Sequence, residues 1–146
     1  MVGRGRVILV GASVIIYEDD KILLQKRRDN SLWAVHGGCV EIGEKVEDAA
    51  KRELFEETGL KANRLELLGV FSGEDTMYTY PNGDEAYIVD ITYICRDFSG
   101  DMSADPEEVS ELRWFNIDQL PENISPPDVK PVEAFVEYIK NGDKRA

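Results

Sequence analysis

Residues 38 to 60 read Gly38-Cys39-Val40-Glu41-Ile42-Gly43-Glu44-Lys45-Val46-Glu47-Asp48-Ala49-Ala50-Lys51-Arg52-Glu53-Leu54-Phe55-Glu56-Glu57-Thr58-Gly59-Leu60. The second half predicts a helix from Val46 to Thr58, stopped by Gly59, a residue free to take the left-handed conformation of a helix end. Ahead of it, Gly43-Glu44 closes a loop. At about 100° per residue, Glu57 lies roughly 40° to one side of Glu53 and Glu56 roughly 60° to the other. Three carboxylates therefore share an arc of about 100°. Like charges gathered that closely repel one another. Without a cation the cluster costs stability; with one it is a site.

Working outward, Val7 to Tyr17 is β-branched and aromatic and reads as a strand, followed by a turn at Glu18-Asp19-Asp20. Lys21 to Arg27 is a second strand, and the two read as a hairpin. Arg28 to Gly43 reads as a loop with a short extended piece, Trp33-Ala34-Val35, leading to His36-Gly37-Gly38. Downstream, Arg64 to Phe71 and Met77 to Tyr80 are strand-like, and Pro81-Asn82-Gly83-Asp84 is the clearest turn. Ala86 to Cys95 and Val109 to Phe115 are further strands, and Pro121 to Pro127 reads as irregular. A last helix is expected from Pro131 to Lys140, with Val132, Phe135, Val136 and Ile139 forming one apolar stripe suited to core packing. The pattern is α/β in the loose, α+β sense: a mixed sheet with two principal helices in a single domain spanning 1–146.

At 146 residues the chain fits one domain of ordinary size. No run approaches the roughly 18 apolar residues of a membrane helix, and Met1 to Gly5 lacks a signal-like segment. The expected address is the cytoplasm, with no membrane partner. Two cysteines, Cys39 and Cys95, read as buried or half-buried thiols rather than a disulfide or zinc framework. A net charge of −12 argues against nucleic acid, whose phosphates need a basic footprint. A polyanionic small molecule meets the same repulsion, which a divalent cation removes.

The spaced residues Gly38, Glu44, Arg52-Glu53-Leu54, Glu56-Glu57 and Gly59-Leu60 resemble the Nudix box of the Nudix (MutT-like) hydrolases. The resemblance implies a Nudix-type α/β/α sandwich with the box as loop, helix and loop. It implies a pyrophosphohydrolase cleaving the diphosphate linkage of a nucleoside diphosphate joined to a second group, with Mg²⁺ or Mn²⁺ as cofactor. Nucleoside triphosphates, ADP-ribose and nucleotide sugars are all open as substrate. It assigns the metal to Gly38, Glu53, Glu56 and Glu57, an assignment that agrees with the preference of hard divalent ions for oxygen ligands. Arg52 is expected to orient a neighbouring carboxylate. The base that accepts the proton of water is either Glu53 or a glutamate outside the box, where Glu108 falls, with Glu107 beside it.

Candidate substrate contacts are Arg27, at the end of the second strand beside Lys26 and Arg28, the only histidine, His36, and Glu44. The family usually has proline where this chain has His36. Trp33, Phe71, Tyr78 and Tyr80 are candidates for stacking on a base. A rival reading is a catalytically silent Nudix domain that binds a nucleotide as a sensor; such domains usually lose box glutamates. Monomer and homodimer stay open.

Overall fold

A computed structural model describes residues 5–80 and 82–145. Pro81 of the expected turn lies outside them, as do residues 1–4. The strands are β1 (Arg6–Glu18), β2 (Lys21–Arg27), β3 (Trp33–Ala34), β4 (His36–Cys39), β5 (Lys61–Phe71), β6 (Met77–Thr79), β7 (Glu85–Ser99) and β8 (Val109–Asn116); the helices are α1 (Val46–Thr58) and α2 (Pro126–Arg145). They form one mixed sheet of order β3-β2-β1-β7-β5, with β4 on β1, β6 on β7 and β8 on β2.

Strand β1 organises the sheet. It runs parallel to β7 from Arg6↔Glu85 to Ile16↔Cys95. Its other edge is divided: β2 takes Ile16 to Glu18, and β4 takes Gly11 to Val14, both antiparallel. The hairpin to β2 turns at Asp19 and Asp20, with φ of 50° and 62°, the doubly left-handed geometry of the favoured two-residue hairpin loop.

Alternation along β1 builds two cores. Ala12, Val14 and Ile16 face Ala49, Ala50 and Leu54 of α1. Ile15 faces the opposite layer, with Ile22, Leu24, Trp33 and Val35 packed on Val132, Phe135 and Ile139 of α2. The α2 stripe is thus core, as its spacing indicates, and the layers stack helix, sheet, helix.

Two expectations need correction. First, α2 begins at Pro126, not Pro131, and Pro131 lies inside it. The first turn of a helix needs no backbone donors, so Pro126 and Pro127 fit there; the Asp128 N–H closes that turn onto the Ser125 carbonyl at 2.9 Å. Second, the loop read over residues 28–43 contains β4, whose Gly37-Gly38 pair carries no strand propensity. Smaller shifts are that β5 starts at Lys61 and that Cys39 is exposed while Cys95 is buried, both as free thiols.

Candidate active site

Two glycines bring three elements together. Gly37 pairs with Ser13 and Gly38 with Ala12 across the β4–β1 ladder. A Cβ on Gly37 would stand 2.5 Å from the Ala12 carbonyl oxygen and 2.8 Å from the Ser13 Cα. A Cβ on Gly38 would stand 2.5 Å from Glu53 Oε1. Neither glycine has a positive φ among the described residues; what each supplies is space, on one side for a neighbouring backbone and on the other for a carboxylate of α1. Gly59 ends α1 in the left-handed conformation, φ 76°, with its N–H on the Phe55 carbonyl.

Arg52 ties the box together. Its Nε and Nη2 donate to the two oxygens of Glu44 at 2.8 and 3.0 Å, a bidentate pair. Nη1 donates to Glu53 Oε1 at 2.9 Å and reaches Glu56 at 3.4 Å, and Nη2 donates to the Cys39 carbonyl at 3.2 Å. The guanidinium beside it holds the Glu44 carboxyl below the usual carboxylate range, helped by the Glu41 N–H. Glu44 is thus engaged as an anchor for Arg52, and the i,i+4 contact to Glu56 is longer than those to Glu44 and Glu53.

Glu57 lies at the inner end of the cluster, only 5% exposed. Its Oε1 accepts from the Gly37 N–H at 3.2 Å and from the side-chain amide of Gln25. Burial, and then the adjacent Glu53 carboxyl, push the Glu57 carboxyl far above the usual range, up to about 9. A buried carboxyl in contact with a half-buried one is an unfavourable arrangement that a divalent cation relieves.

His36 does not face the cleft. It is 0% exposed, its Nε2 donates to the Leu23 carbonyl at 2.9 Å, and its Nδ1 accepts from Gln25 at 3.2 Å. The expected phosphate contact is therefore a core residue beneath the glycines. Burial lowers its pKa from 6.5 to about 4. Between these values the unfolded chain binds the proton and the folded chain does not, so stability falls as pH drops from about 6.5 toward 4. The loss should approach about 3 kcal/mol. Urea midpoints for wild type and His36→Asn at pH 7 and pH 5 check this; equal pH slopes for the two would refute it.

The other candidates are dispersed. Arg27 makes a two-pronged pair with Asp29 at 3.0 and 2.9 Å. Arg28 donates to the Val109 carbonyl at 3.3 Å. Glu107 and Glu108 are exposed on the segment leading into β8, where the Glu108 carbonyl accepts from the Arg28 N–H. That segment abuts the end of α1: the Ser103 N–H donates to the Thr58 carbonyl at 2.7 Å. Trp33 is buried edge-on to Phe115 and lies under the Arg113 guanidinium, so it is core rather than a stacking platform. Tyr78 and Tyr80 are exposed and meet edge to face.

The residues fit a hard divalent ion in donor chemistry. Glu53 and Glu57 are in contact, the Gly38 cradle is filled by the Glu53 carboxylate, and every donor is oxygen. Among the described residues no three acidic, imidazole or thiol side chains converge on one point. Arg52 Nη1 takes both Glu53 and Glu56 as partners.

The profile of the NUDIX domain matches residues 7–135. The chain belongs to the Nudix family of hydrolases. Among the relatives of this Nudix chain, the ADP-ribose pyrophosphatase of Methanocaldococcus jannaschii is 38% identical over 115 residues, covering 77% of this chain and 64% of that protein. The chain therefore spans a little under two thirds of that relative. The putative 8-oxo-dGTP diphosphatase of Bacillus subtilis is 34% identical over 133 residues, covering 90% and 80%. The crystal structure of a MutT NUDIX hydrolase from Burkholderia pseudomallei superposes with a TM-score of 0.76 at 32% identity, covering 87% and 97%. The Nudix sandwich expected from the box is the fold observed.

Sequence reading missed Gln25 and Asp128 of this Nudix domain. Gln25 is buried and contacts Glu57; a lone polar residue in a strand gives no signal of what lies opposite. Asp128 accepts the Val35 N–H at 3.1 Å and ties the start of α2 to the residues before β4. Burial, then nearby Asp90, push its carboxyl up to about 7. The aspartate following a proline pair was readable as a first-turn acid, but not as a partner of Val35 ahead of β4.

Proposed function

We propose that this chain, as one Nudix domain, hydrolyses the diphosphate linkage of a nucleoside diphosphate joined to a second group, with Mg²⁺ or Mn²⁺ held by Glu53, Glu56, Glu57 and the Gly38 carbonyl. The observation that carries the reading is the buried Glu57 carboxyl held against the half-buried Glu53 carboxyl, beside a glycine cradle that admits no side chain. A surface of net charge −12 repels a polyphosphate unless cations intervene. When bound, a divalent ion supplies charge against the phosphate oxygens and makes water more acidic. The protein's part is orientation and proton transfer. Arg52 keeps Glu53 in place through its 2.9 Å bond while anchored on Glu44. Glu53, or Glu108 from the segment beside α1, accepts the proton of the attacking water. No described helix is long and apolar enough to cross a membrane, and a small nucleotide in the cytoplasm is the partner this reading calls for.

The test is a substrate panel of ADP-ribose and 8-oxo-dGTP, the compounds in two relatives' names, together with ordinary deoxynucleoside triphosphates, run with Mg²⁺ and with Mn²⁺. The expected products are a nucleoside monophosphate and the phosphorylated remainder, or pyrophosphate from a triphosphate. Tight nucleotide binding without turnover on the whole panel would instead support the sensor reading.

Metal should stabilise the fold, because it binds the native cluster and not the dispersed glutamates of the unfolded chain. At 100 times the Kd the gain is about 2.7 kcal/mol. A melting temperature identical in EDTA and in millimolar Mg²⁺ or Mn²⁺ would count against the cluster as a metal site.

Glu108→Gln should lower kcat with little change in KM, since a base acts only as the proton leaves water; general-base catalysis contributes roughly 10²–10⁴-fold. A fully active Glu108→Gln across pH 6 to 9, beside an inactive Glu53→Gln, would place the base in the box.

A further inference from the structure

The Gln25 side chain lies in the core of the sheet, 6% exposed, two strands away in sequence from the box it touches. Its two amide hydrogens serve three acceptors: Glu57 Oε1, the Val35 carbonyl at 3.2 Å and His36 Nδ1 at 3.2 Å. His36 decides which way this amide faces. Its Nε2–H is committed to the Leu23 carbonyl at 2.9 Å, so Nδ1 carries a lone pair and requires a donor opposite. The Val35 carbonyl requires a donor as well. Gln25 therefore cannot flip its oxygen toward Glu57 without placing an acceptor against three acceptors at once. The Gly37 N–H donates to the same Glu57 oxygen at 3.2 Å. One oxygen of Glu57 is thereby clamped from beneath, while the carboxyl as a whole lies against Glu53.

We propose that Gln25 is the positioning residue for Glu57: its amide, locked by His36 and the Val35 carbonyl, holds one edge of that carboxylate so that the remaining oxygen is presented to a divalent cation together with Glu53. The inference rests on the metal-site reading given under the proposed function. It explains why a chain of this family carries histidine directly ahead of the glycine pair: there His36 is a fixed acceptor in the core, not a substrate contact. Groups that orient a metal ligand in this way are worth about 10–100-fold in metal affinity or activity when removed.

The test is Mn²⁺ binding to the free protein, read from the electron paramagnetic resonance signal of unbound Mn²⁺, alongside kcat and KM at saturating metal. Gln25→Leu should weaken Mn²⁺ binding by about 10–100-fold and lower kcat more than it raises KM. In a Glu57→Gln background the same change should cost nothing further, because the clamp then has no ligand to hold. Gln25→Asn, one methylene shorter, keeps a buried amide and withdraws it from Glu57; it should reproduce the loss of Mn²⁺ affinity if the leucine variant does not fold. A role in packing alone predicts a lower melting temperature with unchanged Mn²⁺ affinity, or losses that add fully in the Glu57→Gln background, and either result overturns the proposal. Wild-type protein that binds no Mn²⁺ brings down the functional reading and this inference with it. A wild type that binds Mn²⁺, with Gln25→Leu and Gln25→Asn binding it equally well, brings down this inference alone.

Discussion

Glu57→Gln is expected to lower kcat/KM by roughly 10³-fold, several kcal/mol of charge stabilisation at the rate of about 1.4 kcal/mol per decade. The same change should leave the metal-free protein as stable as wild type or more so. Wild-type Glu57 is buried, accepts two N–H groups on one oxygen and presses against the Glu53 carboxyl. A glutamine keeps the accepting oxygen for Gln25 and Gly37 and turns an N–H toward Glu53, where the raised pKa of Glu57 otherwise leaves a proton between the two carboxyls near neutral pH, and it brings no charge to bury at any pH. Loss of activity with retained or raised stability is the signature of a site whose strain serves a ligand. Glu56→Gln should also lose most turnover, with a smaller stability effect, since Glu56 is exposed and its Arg52 contact is 3.4 Å. Melting in EDTA and turnover at limiting Mg²⁺ measure the two halves. Wild-type turnover by either variant would sink the assignment of these glutamates.

Gly37→Ala and Gly38→Ala should fail in opposite ways. The new methyl at Gly37 meets backbone, the Ala12 carbonyl at 2.5 Å and the Ser13 Cα at 2.8 Å. Backbone in the centre of a sheet does not yield, so β4 must lift from β1. The expected cost is about 3 kcal/mol, or roughly 10 °C in melting temperature for a domain of this size. The methyl at Gly38 meets the Glu53 carboxylate first, at 2.5 Å. That side chain can swing away, which spares the fold but breaks its 2.9 Å bond to Arg52 and removes it from the cluster. Gly38→Ala should therefore stay within about 1 kcal/mol of wild type while activity falls by about 10²-fold or more. An active Gly38→Ala, or a Gly37→Ala as stable as wild type, would contradict this account of the pair.

The elements legible in the sequence were those written in local chemistry. The span of α1 and its Gly59 stop, the β1–β2 hairpin over Asp19 and Asp20, and the α2 stripe each follow from periodicity or from a residue's own φ preference. What was misread lacked such a local mark. Strand β4 is centred on a Gly37-Gly38 pair with no strand propensity; it exists because two glycines let it lie against β1. The start of α2 was displaced because a proline pair reads as a breaker, although the first helical turn tolerates it.

The candidate site divides along the same line. The sequence by itself determined the family, the presence of Glu53, Glu56 and Glu57 on one face of a helix, and the crowding of like charge that a cation would relieve, because helical spacing and charge are properties of neighbours in the chain. Only the tertiary structure decided how unequal these glutamates are: Glu57 is buried and clamped, Glu53 is held by Arg52, and Glu56 is left at the surface. It alone also moved His36 from a supposed substrate contact to a core acceptor and revealed Gln25 beneath Glu57. Burial and long-range hydrogen bonding depend on which strands become neighbours, and Gln25 and Glu57 meet only after 32 residues of chain have folded back on the sheet.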